Sequence, residues 1–285
     1  MAERLVDLHT HTFVSDGTLS PTQLVEQAAA AGLAAIAITD HDHVGALVEA
    51  REAGARHGVE VVTGIELSAT HALGEVHVLG YLFDEQNAPL LDKLAQLREV
   101  RAARGMRIVE KLQALGVAIA PEDVARHAGN GAVGRPHIAR ALVDRGIVSS
   151  VKEAFDVWLG DDKPAYVPKM KLSVAESIDL LHAAGGVAVL AHPGLIREEG
   201  RVALVREMAA LGLDGIEVEH SRHAREERRR FAALADELGL VQTGGSDFHG
   251  ENKPDVALGT GVHRNVRVGY ATLDALRLRA AQRAP

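Results

Sequence analysis

The sequence predicts an α/β fold of repeated strand–helix units, either an irregular barrel or an open doubly wound sheet. Three observations predict it. Short apolar runs alternate with helix-type segments from residue 1 to about 82, and the same rhythm resumes after about 168. One run, LAAIAIT at 33–39, is almost wholly apolar, as a strand buried on both faces requires. The β-type runs number about seven, a count that favours the barrel.

The first run, VDLH, leads into SPTQLVEQAAAAG, which opens with a full helix signal: Ser20 as N-cap, Pro21 at the first helical position and Gln23 closing a capping box. LAAIAIT, the helix VGALVEAREAGARHG, the strand VEVVTGIEL and the run EVHVLGYLF at 75–83 continue the alternation. The rhythm breaks near residue 88. One long helical pattern runs from Pro89 to Leu115, and PEDVARHAG, RPHIARALVDRG and SVKEAFDVWLG read as three short helices before KPAYVP closes the block near 168. The expectation is a barrel of residues 1–99 and 169–285, with a small helical insertion, 100–168, covering the site. Beyond it come a helix at SVAESIDLLHAAG, a strand at GVAVLAH, a helix near 200–211 and the strand GIEVEH. A helix at 223–238, the strand LVQTGGSD and a last helix at about 270–282 complete the chain.

Composition narrows the function classes. Hydrophobic content of 47% with 25% charged residues suits a soluble globular chain, and no apolar run approaches the roughly 20 residues of a membrane span. MAERLVDLHT carries no signal-peptide core, so a cytoplasmic protein without a membrane partner is expected. Zero cysteine excludes disulfides and thiolate metal sites. A net charge of −8 argues against binding long nucleic acid, and 3% aromatics against a platform for stacking many bases. A small phosphorylated nucleotide or short oligonucleotide stays compatible, because bound metals and a few arginines supply local positive charge.

Polar residues fall at strand ends. His9 and His11 finish the first run on one face, since strand side chains alternate, and Asp16 follows. His41 follows LAAIAITD, Glu66 ends VEVVTGIE, His77 sits inside EVHVLGY, His192 ends GVAVLAH, and Asp247 and His249 end LVQTGGSDFH. Taken singly, His77 suits a satisfied core histidine and Asp247 a turn cap. Together, several strands deliver His, Asp or Glu to the face where the C-terminal ends of parallel strands converge, which points to a metal centre. Nine candidate ligands exceed the six or so of one octahedral ion, so two or three divalent ions are expected, with Glu66 as the bridge. A set of nitrogen and oxygen donors with carboxylates suits manganese first, with zinc or iron as alternatives. Such clusters clamp a phosphate and generate hydroxide near neutral pH. Asp40 and Asp42 are nearby carboxylates suited to orienting imidazoles, and His43 to starting the next helix.

In this order LHTHTFVSDG, ITDHD, GIEL, AHP and GSDFH resemble the motifs of the PHP (polymerase and histidinol phosphatase) family over nearly the whole chain. The resemblance implies a distorted (β/α)7 barrel carrying a multinuclear metal site. Carried over by position, it implies one site of His9, His11, Glu66 and Asp247, a second of Glu66, His77 and His192, and a third of Asp16, His41 and His249. Asp16 stands where some members have histidine. GRPH and KPAYVP extend the resemblance to nucleoside 3′,5′-bisphosphate phosphatases and to the related 5′→3′ exoribonuclease RNase AM. The implied reaction is hydrolysis of the 3′-phosphate of adenosine 3′,5′-bisphosphate to AMP, extending to short oligonucleotides. Asp16, His41, His192, Asp247 and His249 are the expected catalytic residues, with His192 and Asp247 open to either ligation or proton transfer.

Arg98, Arg101, Arg104 and Arg107 recur every three residues in LREVRAARGMRIVEK, so two or three guanidiniums share a face able to meet one phosphate. The same pattern suits a solvated face balanced by Glu99 and Glu110. In GNGAVGRPHIA, Pro136 marks a helix N-terminus, which puts Arg135, His137 and free backbone amides at an anion-attracting end, or at an ordinary solvated helix start. Ser221 and His223 in EHSRHA follow a strand end and suit either a substrate contact or a loop. The expected substrate-binding set is Arg101, Arg104, Arg135, His137, Ser221 and His223. Competing readings are a 5′→3′ exoribonuclease on short 5′-phosphorylated RNA, a histidinol phosphate phosphatase, a non-catalytic metal-binding regulatory module and an amidohydrolase. The complete ligand set argues against the module, and the arginines against the amidohydrolase.

Overall fold

The run AIAI has no polar side chain to turn outward, and its strand is covered on both faces. In the computed structural model this strand, β2 (Ala35–Ile38), lies between β1 (Leu5–Thr10) and β3 (Glu60–His71), both parallel to it. The structure describes residues 3–128, 133–167 and 171–283, and only the backbone of residues 101 and 102.

One strand of the barrel departs from the expected parallel order. Ala72 and Leu73 alone separate β3 from β4 (Gly74–Tyr81), and so short a connection makes a hairpin, not a parallel crossover. β4 therefore runs antiparallel to β3 and also to β6 (Val187–Leu190), after which β7 (Gly215–His220) and β8 (Val241–Gly245) are again parallel. The two-residue β5 (Leu172–Ser173) adds to the side of β3, and β9 (Val268–Gly269) pairs with the start of β1.

The sheet then nearly closes on itself. Just beyond β8, Asp247 N–H donates to His9 O and His11 N–H donates to Phe248 O, both at 2.9 Å. Gly245 permits this approach, because a Cβ there would collide with the backbone nitrogen and Cβ of His9. Buried Asp7 staples the same seam by accepting from the backbone N–H groups of His9, Ser246 and Gly259. The result is a distorted (β/α)7 barrel of β1 to β4 and β6 to β8.

Helices α1 (Pro21–Ala30) and α2 (Leu47–His57) cover one side of the sheet through Leu24, Val25, Ala28, Leu47 and Ala50. The capping box of α1 is complete: Gln23 N–H donates to Ser20 Oγ, and Ser20 N–H to Gln23 Oε1. A long helix, α3 (Ala88–Ala114), then leads to α4 (Pro121–Ala128), α5 (Arg135–Asp144) and α6 (Val151–Ala154). The chain divides into two compact units, Met1–Leu91 with Lys171–Pro285, and Asp92–Met170, the first division lying inside α3 and ahead of the expected 99/100 boundary. The second unit has its own apolar core, including Ile108, Leu112, Ile138, Leu142 and Leu159. The barrel resumes with α7 (Val174–Ala183), α8 (Arg201–Ala210), α9 (Arg225–Leu238) and α10 (Tyr270–Arg283).

Candidate metal centre

Glu66 is the centre of the rim. Its carboxylate is almost wholly buried and faces five imidazoles. Oε1 lies 2.7 Å from His77 Nδ1 and 2.9 Å from His192 Nε2. Oε2 lies 3.3 Å from His9 Nε2, 3.1 Å from His11 Nε2 and 3.2 Å from His41 Nδ1. Glu66 lies inside β3, not at its end as expected, and the hairpin explains His77: it stands opposite Ser68, two residues along β3 from Glu66 and on the same face.

Asp247 and Asp16 complete the cluster. Asp247 Oδ1 is 3.6, 3.5 and 3.3 Å from ring nitrogens of His9, His11 and His249. Asp16 approaches His249 Nε2 at 3.2 Å, His11 Nδ1 at 3.6 Å and His41 Nε2 at 3.7 Å. The ligand atoms fall into four overlapping groups: His11, Asp16, His41 and His249; His9, His11 and Asp247; His9, Glu66 and His192; and His41, Glu66 and His77. All nine expected ligands are thus brought together; Glu66 is shared as in the sets carried over by position, and His9, His11 and His41 each fall in two of these groups as well.

The electrostatics ask for cations. Burial alone would raise the Glu66 carboxyl, yet His41, His77 and His9 hold it well below the usual carboxylate range. Asp247 and Asp16 are likewise held low against their burial, Asp247 by His9 and Lys253 and Asp16 by His41 and His249. Burial pushes His77 down, but Glu66 and Glu75 outweigh it and hold the ring at about 9. His11 is the opposite case: burial, reinforced by His249, drives it down to about 3, so the ring is neutral. Its Nδ1 sits 3.4 Å from Ser15 Oγ, and its buried Nε2 has no hydrogen-bond partner despite two carboxylate oxygens within 3.5 Å. A buried lone pair set against carboxylate oxygens is repulsive unless a cation lies among them. Divalent ions fit these residues, and the donors are those that manganese, zinc or iron accept.

Sequence comparison gives the same chemistry a lineage. A PHP domain model matches residues 7–110. The chain is 37% identical to a 3′,5′-nucleoside bisphosphate phosphatase of Chromobacterium violaceum, covering 88% of this chain and 90% of that protein. The chain belongs to the PHP domain family. It is also 36% identical to a 5′-3′ exoribonuclease of Haemophilus influenzae, over 85% of this chain and 89% of that one. A solved structure from Bifidobacterium adolescentis, described as a metal-dependent phosphoesterase, superposes on this PHP chain with a TM-score of 0.86 at 34% identity, covering 97% and 96% of the two.

The remaining expected contacts divide between the units of this PHP chain. In the second unit the guanidiniums of Arg104 and Arg135 converge on Tyr166, 6.0 and 5.8 Å from its ring centroid. Arg104 Nε donates to Val167 O at 2.7 Å, and Arg135 pairs with Asp161 at 2.8 Å. His137 Nδ1 accepts from Gly134 N–H at the start of α5. The side chain of Arg101, and residues 129–132 of GNGAVGRPHIA, lie outside the described residues. In the barrel, Ser221 Oγ donates to Ser246 O at 2.5 Å. Both His223 nitrogens are committed to backbone, Nδ1–H to Val218 O and Nε2 to Gly194 N–H, so the ring fastens the loop after β7 to the loop after β6.

Several polar residues behind the PHP rim escaped the strand-end rule. Buried Glu217 accepts from His9 Nδ1–H at 3.0 Å and from His192 N–H at 2.7 Å, bracing two candidate ligands at once. The first contact keeps a proton on His9 Nδ1 and leaves Nε2 as the nitrogen facing the cluster; burial pushes the ring down, but Glu217, Glu66 and Asp247 hold it well above the usual imidazole range. The signal was a carboxylate in mid-strand within GIEVEH, where a bulge between Glu217 and Glu219 leaves the first buried and the second partly exposed. His220 and Lys253 both approach Asp247 Oδ2, at 3.4 and 2.6 Å. Asp40 accepts from Thr12 and from Ser15 Oγ, and so reaches the His11 ring through one hydroxyl, while Asp42 accepts from Ser68 N–H. His43 Nδ1 accepts from Gly45 N–H.

Proposed function

We propose that this PHP protein is a metal-dependent phosphoesterase that removes the 3′-phosphate from nucleoside 3′,5′-bisphosphates, converting adenosine 3′,5′-bisphosphate to AMP and phosphate. One observation carries it: a buried carboxylate, Glu66, surrounded by five imidazoles, one of them neutral with a lone pair facing carboxylate oxygens. The metal ligands in this reading are His9, His11, Asp16, His41, Glu66, His77, His192, Asp247 and His249, holding two or three ions, manganese first. When bound, the ions supply Lewis-acid activation of a phosphoryl oxygen and of water.

The chain's own residues do the rest. Glu66 directs one oxygen to each half of the cluster, and Glu217 holds the His9 proton at Nδ1, so that Nε2 is the nitrogen offered to an ion. The Nδ1–H of His249 donates to Asp247 O at 2.9 Å, which turns Nε2 toward Asp16. His9, His11 and Glu66 exclude bulk water from one side, whereas Asp16 and His41, 34% and 17% exposed, leave the side by which an ester enters. His192 and Asp247 are the candidates for moving a proton to or from the reacting oxygens. Arg101, Arg104, Arg135 and His137 are the residues this reading assigns to the second phosphate. A small substrate in the cytoplasm agrees with the acidic net charge of −8.

A second reading, exonucleolytic release of nucleotides from short 5′-phosphorylated RNA, is favoured by the relative from Haemophilus influenzae. The test is product release by manganese-loaded protein from adenosine 3′,5′-bisphosphate, AMP, histidinol phosphate and a 5′-phosphorylated RNA trimer in parallel. Fast turnover of the bisphosphate with little on AMP is the expected result. Mononucleotide release from the trimer with poor bisphosphate turnover would replace the first reading by the second, and inactivity on all four would refute both.

A further inference from the structure

Lys253 is a cation that the metal-centre reading leaves unused. Its ammonium lies 2.6 Å from Asp247 Oδ2, while the other oxygen of that carboxylate faces His9, His11 and His249. The turn that carries it is tied to the loop after β1: Glu251 N–H donates to Thr18 Oγ1 at 3.0 Å, and Asn252 Nδ2–H to Asp16 O at 2.6 Å. The base of the side chain is thus fixed by the two segments that bear Asp16 and Asp247. The side chain is 34% exposed against 8% for Asp247, so it reaches the rim from the solvent side. Asp247 is its sole hydrogen-bond partner among the described residues, which leaves two of the three ammonium donors for a ligand or solvent. Asp247 Oδ2 already faces His220 Nε2, so the lysine is not needed merely to cover that oxygen.

We propose that Lys253 binds a non-bridging oxygen of the phosphoryl group undergoing hydrolysis. A phosphate dianion approaching this rim meets the carboxylates of Asp16, Glu66 and Asp247, and a fixed ammonium beside Asp247 offsets that repulsion while donating a charge-assisted hydrogen bond. Lysine suits the task because it is a compact charge on a flexible stem, able to keep Asp247 and reach the ligand together. The proposal rests on the phosphoesterase reading, but inorganic phosphate tests it without any turnover.

Manganese-loaded wild type, Lys253→Met and Lys253→Arg are compared for metal content by plasma mass spectrometry and for inorganic phosphate affinity by calorimetry, with kcat/KM on adenosine 3′,5′-bisphosphate alongside. The expected result is unchanged metal content in all three, a phosphate Kd raised at least about tenfold in Lys253→Met, and most of the affinity restored in Lys253→Arg. A phosphate affinity within about twofold of wild type in Lys253→Met overturns the proposal, as does a wild type that binds no phosphate. Loss of manganese from Lys253→Met overturns it too, reducing Lys253 to a prop for Asp247. A wild type that binds phosphate through Lys253 yet hydrolyses no ester refutes the phosphoesterase reading and leaves the contact standing.

Discussion

Glu217→Gln removes one charge and one acceptor from behind the cluster without changing side-chain size. Glu217 is fully buried and takes the His9 Nδ1–H on one oxygen and the His192 N–H on the other. A glutamine amide has a single acceptor oxygen, so one of those donors loses its partner. If the amide nitrogen turns toward His9, the ring must accept at Nδ1, and its proton moves to Nε2, where it blocks the lone pair an ion requires. If the nitrogen turns toward the backbone, the His192 N–H is left unpaired at a cost of about 1–3 kcal/mol. Loss of such an outer carboxylate lowers metal affinity about 10–100-fold, or roughly 1.4–2.8 kcal/mol. Wild type and variant dialysed against chelator-buffered manganese, with bound metal read by mass spectrometry, should show midpoints separated by that factor. Equal affinities to within about threefold, with circular dichroism unchanged, would refute the argument. There is a pH signature as well. Burial pushes the Glu217 carboxyl up, but His9 and His220 prevail and hold it at about 2 against an ordinary 4.5. A depressed carboxylate stabilises the fold above its unfolded value and loses that contribution as pH falls through the folded one. Metal-free wild type should therefore lose stability between pH 4.5 and about 2 more steeply than Glu217→Gln.

Three further outcomes follow from the same geometry. Gly245→Ala forces a methyl into the His9 backbone at the barrel seam, so the urea midpoint should fall by the equivalent of about 1–3 kcal/mol or more; an unchanged midpoint would mean the seam is slack. Arg135→Ala should raise KM for the bisphosphate about 10–100-fold and leave p-nitrophenyl phosphate, which has no second phosphate, nearly untouched; equal effects on both would place Arg135 outside the substrate site. Thermal melts of chelated protein should rise on adding manganese, by the equivalent of about 2.7 kcal/mol at a hundredfold excess over Kd, and a melt indifferent to manganese would deny that the native state holds it.

Much of this molecule is legible in its residues because the informative signals are local. Ser20, Pro21 and Gln23 specify the start of α1 through chemistry that spans four residues, and His9 and His11 share a face simply because strands alternate. The reversal of β4 is not written that way. A run such as EVHVLGY has the same pattern whether its neighbours are parallel or antiparallel, and only the two-residue link at Ala72 and Leu73 betrays the hairpin. The strand-end rule found residues that face the rim and passed over Glu217, which acts from mid-strand on a residue 208 positions away. Lys253 escaped for a related reason: a lysine in an exposed turn looks solvated until Asp247 is brought beside it. His223 shows the converse, since a histidine after a strand end suits a ligand contact, whereas here two backbone groups claim its nitrogens.

On the proposed reading, Glu66 and the imidazoles around it would together hold the divalent ions. A crystal structure of manganese-soaked protein, with anomalous differences collected at the manganese edge, tests it directly. Two or three peaks within bonding distance of the nine side chains, Glu66 among them, are the expected result. A map with no peak beside Glu66, from crystals that bind manganese elsewhere, would contradict it.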